Sequence, residues 1–157
     1  MADIVAASGA SIGSIYHHFG GKKELFLAIF ERIANDIEGR MEAAAPQAVG
    51  SDKRRVFEVN ARAYLQAMWA NRRDAMVLAS GDVPAGFDRV RRNSMLTNFR
   101  RWISVLELDD SPRGQLLTRI LVATMAESAL MVAACDDAAD AEPIIDATIE
   151  SIDRLTR

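Results

Sequence analysis

Cysteine occurs once in these 157 residues, at Cys135, so no disulfide can form within the chain, which suits a reducing cytoplasm. The plainest role for that thiol is a small apolar side chain packed in a helix. Proline and glycine are sparse, at 4 and 9 residues, while 50% of the chain is apolar. That balance excludes a disordered chain and calls for a packed core. No apolar run reaches the roughly 20 residues a membrane span needs. Met1 is not followed by a basic segment and an apolar core, so neither a signal peptide nor a membrane partner is expected. A large excess of one charge is missing too. The net charge of −3 excludes a chain that coats nucleic acid and confines any such contact to a small patch. There is no glycine-rich phosphate loop, no His/Cys set at metal-ligand spacing, and no Cys–His or Ser–His pairing with an orienting acid. Neither enzymatic chemistry nor a metal or cofactor is therefore expected. The length allows one substantial core, as one domain plus a small appendage.

What is present concentrates in the first twenty residues. Ala2 to Lys22 reads as a short helix, a glycine-containing turn and a second short helix ending in Ile15-Tyr16-His17-His18-Phe19. Ile4, Val5 and Ala7 give the first helix an apolar side, and Ser8-Gly9 ends it, since glycine tolerates a left-handed stop. Ser11 is placed to cap the second helix. Ile15 and Phe19, four apart, face inward, while Ser14, Tyr16, His17 and His18 fall on other sides. Gly20-Gly21 stops this helix after about two turns. A helix so short is marginal alone, because isolated helices need roughly 12–15 residues. Neighbours must hold it, and its outer face carries unusually large polar side chains. That layout is a helix-turn-helix, whose second helix lies in the DNA major groove.

The run Ala2-Asp3-Ile4-Val5-Ala6, Gly9-Ala10-Ser11, Ile15-Tyr16-His17-His18-Phe19 and Gly20-Gly21-Lys22-Lys23-Glu24-Leu25 resembles the TetR family of transcriptional regulators. The resemblance implies an all-α homodimer that binds operator DNA through paired helix-turn-helices and releases it on binding a small-molecule effector. It puts Ser11, Ile12, Gly13, Ser14, Tyr16, His17, His18 and Lys22 at DNA-contact positions. Chemically, Ser11 and Ser14 offer hydroxyls, Gly13 allows close backbone approach, and the rings suit sugar and phosphate contact. Lys22 adds a positive charge beside free N–H groups at a helix start. Ile12 departs from the family, where a long polar or basic residue is common, and could pack on a thymine methyl. A metal site at His17 and His18 is not expected, because adjacent helical residues do not face each other. The resemblance also implies a helix ahead of Ala2, for which Met1 leaves no residues; that helix would shield Ile4, Ile15 and Phe19. The expectation is either that the native protein begins earlier or that this form is a dimeric ligand-binding module without operator binding.

Beyond Gly21 the periodicity is helical throughout. Leu25, Ile29, Ile33, Ile37 and Met41, widened by Phe26 and Phe30, predict one helix from Lys22 to about Ala45, ended by Pro46 and Gly50. Ser51 is placed to cap a helix bearing Phe57, Ala61, Tyr64 and Met68, running to about Asn71-Arg72-Arg73. A short helix covers Asp74 to Ala79, and Ser80 to Gly86 is a loop. Phe87 to Leu106 is helical and basic on one face. Ser111-Pro112 opens a helix over Arg113 to Cys135 with proline at its first position. Asp140 is expected to cap the last helix, with Pro143 in its first turn. This divides the chain into a partial helix-turn-helix (1–21), a connecting helix (22–45) and a helical effector-binding and dimerisation domain (46–157).

Leu116 to Ala134 is apolar nearly all round, which predicts burial on every side. One small subunit rarely covers every face, so a partner subunit is the economical explanation. The last helix, with Ile144, Ile145, Ile149, Ile152 and Leu155, shows a similar excess. The resemblance adds that such proteins pair through their two final helices, and a two-fold dimer would set its recognition helices roughly 34–36 Å apart or a multiple of that. Candidate effector contacts are Tyr64, Met68, Trp69, Met76, Phe99, Trp102 and Met125, since aromatic and methionine side chains suit an adaptable apolar site; the same residues would also make an ordinary core. Glu127 lies inside an apolar run and would need a partner if buried, with Arg62, Arg100, Arg101 and Arg119 available. It fits an intersubunit ion pair or a ligand anchor equally well.

Overall fold

The computed structural model describes residues 12–79 and 83–157; the side chains of Ile12, Ile15, Tyr16, Met95, Asn98, Arg101 and Trp102 lie outside that description. The first short helix and the Ser8-Gly9 stop read from the sequence, the Ser11 cap, and Ser80-Gly81-Asp82 fall outside it as well. The described residues form seven α-helices and no strand: α1 (Ile12–Phe19), α2 (Lys22–Ala44), α3 (Lys53–Ala70), α4 (Arg72–Ala79), α5 (Phe87–Ile103), α6 (Pro112–Ala133) and α7 (Ala138–Leu155). Short 3-10 turns at Ala45–Ala48 and Ser104–Leu106 follow α2 and α5.

The helix ends follow their local chemistry, with two corrections. The cap of α3 is Asp52, not Ser51: its extended backbone lets the carboxylate accept from the Arg55 N–H at 2.9 Å, a reach that Ser51, one residue further out, lacks. The cap of α7 is Asp137, which accepts from the Ala139 N–H at 2.7 Å. Asp140 thereby moves into the first turn, where its charge suits the helix N-terminus, and Pro143 lies past that turn inside the helix. Ser111 does cap α6, accepting from the Gly114 N–H at 3.1 Å, with Pro112 at the first helical position. A Cβ on Gly114 would run into the Asp109 carbonyl, so only glycine fits this corner without a backbone shift.

Two apolar clusters share the α2 helix. The larger joins α3, α5, α6 and α7 through Phe57, Tyr64, Leu65, Phe99, Leu121, Met125, Val132, Ile145 and Ile152, with Ile37 and Met41 of α2 packed on its side. The smaller joins α2, α4 and the start of α5 through Phe26, Ile33, Leu78 and Phe87, with Phe87 edge-on to Phe26 at 5.5 Å and to Phe30 at 6.1 Å. Polar ties reinforce the body. Arg62 of α3 pairs with Glu142 (3.1 Å) and Asp146 (2.5 Å) of α7, and the buried Thr148 and Ser128 hydroxyls join α7 to α6 at 2.8 Å.

Helix α6 is not buried on every side. Leu121, Met125, Ala129 and Val132 enter the core, while Leu116 (58%), Ile120, Leu130 and Met131 (49%) stay exposed along one stripe. By length and composition α6 is apolar enough to cross a membrane, which corrects the expectation that no run is. Arg113, Arg119 and Glu127 interrupt it, and its other face packs on α3, α5 and α7, as a core helix does. Helix α7 differs from its forecast too: Ile145 and Ile152 are wholly buried in the subunit's own core, leaving Leu155 as its large exposed apolar residue.

Candidate functional site

Helix α1 is eight residues long and rests on the N-terminal end of α2. Two glycines make the corner between them. Gly20 adopts a φ of +83°, which a side chain would strain, and a Cβ on Gly21 would come within 2.7 Å of the Glu24 carboxylate. The Gly21 carbonyl accepts from Leu25 N–H at 3.1 Å, closing the first turn of α2. Gly13, Ser14, His17 and His18 are exposed on α1, while Phe19 is half-buried and receives the His18 ring edge-on at 4.8 Å. Lys22 is the first residue of α2, and its ammonium stands 5.8 Å from the centre of the Phe26 ring. Small and ring-bearing polar groups thus cover the outside of α1, with a cation at the neighbouring helix start. That arrangement fits phosphate and groove contact. Of the remaining sequence candidates, Ser11 and the side chains of Ile12 and Tyr16 are outside the described residues.

Residues 1–29 match the family described as bacterial regulatory proteins, tetR family. The similarity is confined to this N-terminal segment of the 157-residue chain. The match spans α1, the glycine corner and the opening of α2, so the segment whose geometry suits DNA is also the segment that defines the family. That family's members are DNA-binding regulators of transcription, and residues 1–29 are the part of this chain that resembles them.

The second feature is a cavity of about 700 Å³ inside the helical body, within the range of small-molecule sites. One wall is the inner face of α2, from Phe30, Ile33 and Ile37 to Met41 and Glu42. Tyr64 and Met68 of α3, Phe99 of α5, and Val122, Ala126 and Ala129 of α6 supply apolar surface. Tyr64 lies edge-on to Phe99 at 5.3 Å, and burial pushes its phenol well above the ordinary range, so it stays protonated. Among the sequence candidates, Tyr64, Met68 and Phe99 line this cavity together. Met125 does not; it is fully buried in the core behind it. Met76 is 44% exposed on α4, away from the lining, and the Trp102 side chain lies outside the described residues. Trp69 instead borders a smaller cavity of about 270 Å³ between α3 and α7, under the Arg72 guanidinium at 4.4 Å.

Glu127 is exposed rather than buried, because it falls on the outward stripe of α6; Arg62, one of its candidate partners, is taken by Glu142 and Asp146. The sequence reading missed the polar part of the cavity wall: Glu38 and Glu42 from α2, Asn60 from α3, and Arg91, Arg92 and Ser94 from α5. The basic face of α5 was visible as a pattern. Which of its arginines turns inward depends on how α5 packs against α2 and α6, and periodicity does not carry that.

Proposed function

We propose that this regulator is a homodimeric repressor released from its operator by a small molecule held in the large cavity. The observation that carries the reading is the continuity of α2. This 23-residue helix, about 35 Å long, seats α1 at one end and walls the cavity from Phe30 to Glu42. A ligand that spreads the cavity displaces the helix on which the reading head sits, which converts binding energy into a changed spacing between the two heads of a dimer. In this reading Ser11, Ile12, Gly13, Ser14, Tyr16, His17, His18 and Lys22 meet the DNA, and Tyr64, Met68 and Phe99 meet the effector. In this reading the protein works in the cytoplasm.

Pairing is supported by the exposed apolar stripe on α6. Leu116, Ile120, Leu130 and Met131 recur at helical spacing, and the outer side of the neighbouring α7 presents the small residues Pro143, Ala147 and Ser151, which allow a partner helix to approach closely. Substituting Ile120→Lys should yield a monomer by light scattering at micromolar concentration with its helical signal retained. A dimer that survived this change would place the interface elsewhere.

The DNA reading is tested on an operator selected from random duplexes. Lys22→Ala should weaken binding about equally across sequences and flatten the salt dependence by a slope of about 1 per lost contact on each bound half. A changed sequence preference with an unchanged salt slope would remove Lys22 from the phosphate contacts. Release is tested by cavity filling: Ala126→Leu should lower operator affinity without ligand, and unaltered affinity would uncouple the cavity from the reading head.

A further inference from the structure

The cavity has an asymmetric charge pattern that an apolar ligand alone would leave unused. Its floor is Ile33, Ile37, Tyr64, Phe99 and Ala126, but its rim is divided. Helix α2 contributes the carboxylates Glu38 and Glu42, and α5 contributes the guanidiniums of Arg91 and Arg92. Arg91 stands apart. One terminal nitrogen donates to the Asp88 carboxylate at 3.3 Å, while its Nε is buried with no hydrogen-bond partner among the described residues. A buried donor on a permanent cation calls for an acceptor, and Arg91 lines a cavity large enough to admit one. Ser94, three residues on and therefore on the same side of α5, also lines the cavity and adds a hydroxyl.

We infer that the effector is an amphipathic carboxylate whose acid group is bound by Arg91 and Ser94 and whose apolar body lies over Tyr64 and Phe99. This rests on the reading of the cavity as the effector site and adds the chemical class of its occupant. The guanidinium geometry favours a carboxylate, which can accept two N–H bonds at once. Glu38 and Glu42 set the orientation, because they repel an anionic group from the α2 side and leave that side to the uncharged end. A cationic ligand would have to turn the other way and would leave the Arg91 Nε without a partner.

The test is direct titration of the full chain with three probes sharing one alkyl chain: dodecanoate, dodecanol and dodecylamine, each below its micelle concentration. Calorimetry or the intrinsic fluorescence of the two tryptophans provides the readout. Dodecanoate should bind at least about tenfold more tightly than dodecanol, the size of effect expected of one charge-assisted hydrogen bond. Arg91→Gln should abolish that preference by weakening dodecanoate much more than dodecanol, with the helical signal retained, and Arg91→Lys should restore it in part. Equal binding of dodecanoate and dodecanol, or a preference for dodecylamine, would overturn the carboxylate assignment and leave the cavity as the effector site. A preference for dodecanoate that persists in Arg91→Gln would overturn the role of Arg91. Failure of all three probes to bind would count against the cavity itself as well as the inference.

Discussion

Helix α1 and the body from α3 to α7 divide the work of this protein unequally. On α1, Gly13, Ser14, His17 and His18 are exposed and Phe19 is half-buried. The helix touches the rest of the molecule through the start of α2, and it falls in the matched family segment. The body buries Phe57, Leu65, Phe99, Leu121, Met125, Val132, Ile145 and Ile152 in one cluster. The packed core and the proposed recognition surface therefore sit in different places. Groove and phosphate contacts need particular side chains at particular positions, whereas a helical core accepts many apolar combinations of the right volume. The small region carries the family resemblance in its sequence, while the large one supplies the platform and the cavity with no motif at all. Helix α2 belongs to both and is the part through which either can act on the other.

The largest effect should come from attacking the platform. Leu121 is completely buried in the main core, and Leu121→Ala should cost about 2–5 kcal/mol through lost burial and the cavity left behind, read as a lower urea midpoint. His17→Ala, on the exposed face of α1, should change stability by less than about 0.5 kcal/mol yet weaken operator binding. If His17→Ala destabilised the fold as strongly as Leu121→Ala, the division between platform and reading head would be wrong.

A smaller effect is expected at the clamp between the two regions. Asn71, buried at the end of α3, accepts from an Arg32 guanidinium nitrogen at 3.2 Å and donates to Asp36 at 2.6 Å and to the Ala67 carbonyl at 2.9 Å. Arg32 also pairs with Asp74 of α4. One side chain thus ties α2 to the corner between α3 and α4. Asn71→Ala removes these bonds and leaves polar groups without partners, at a cost of about 1–3 kcal/mol. Because the clamp grips the helix that carries α1, hydrogen exchange should quicken in the first half of α2 more than in α6. Uniform quickening over both helices would show that Asn71 serves general stability and not the connection.

How much of this was legible in the sequence depends on what kind of contact decides each feature. Helix α2 was readable almost to the residue, because the four-residue recurrence from Leu25 to Met41 and the Pro46 stop are local signals. The cap of α3 was placed one residue too early and that of α7 three residues too late. Ser51 and Asp140 are sound capping residues, but neighbouring aspartates competed for the same N–H groups, and the backbone angle that decides between them is not a property of the side chain. Helices α6 and α7 looked equally over-supplied with apolar residues, yet α7 spends Ile145 and Ile152 inside its own subunit while α6 leaves a stripe outside. Periodicity gives the faces of a helix; only packing says which face has a neighbour. The cavity was half legible for that reason. Tyr64, Met68 and Phe99 stood out as aromatic or flexible, while the inward turn of Arg91 is set by tertiary packing alone.

The smallest expected effect probes the same clamp through pH. Asp36 titrates below the ordinary carboxylate range, chiefly because the Asn71 amide donates to it; burial opposes this, and the Arg40 side chain at 2.8 Å and the nearby Arg32 charge add smaller lowering effects. A carboxylate whose folded value lies below its unfolded value of about 3.9 contributes its full stabilisation above that pH. The contribution is lost as pH falls through the folded value, since protonation then favours the unfolded chain. Asp36 and Arg40 are both substantially exposed, so solvent screens the pair and an interaction of this kind is worth roughly 0.2–1 kcal/mol. Asp36→Asn keeps an oxygen to accept from Asn71 but removes the charge. Its urea midpoint should lie slightly below that of the natural chain at pH 7, and the two should converge as the pH drops below about 4. A gap that stayed constant from pH 7 to pH 3 would mean that the Asp36 oxygen matters to the clamp as a hydrogen-bond acceptor and its charge does not.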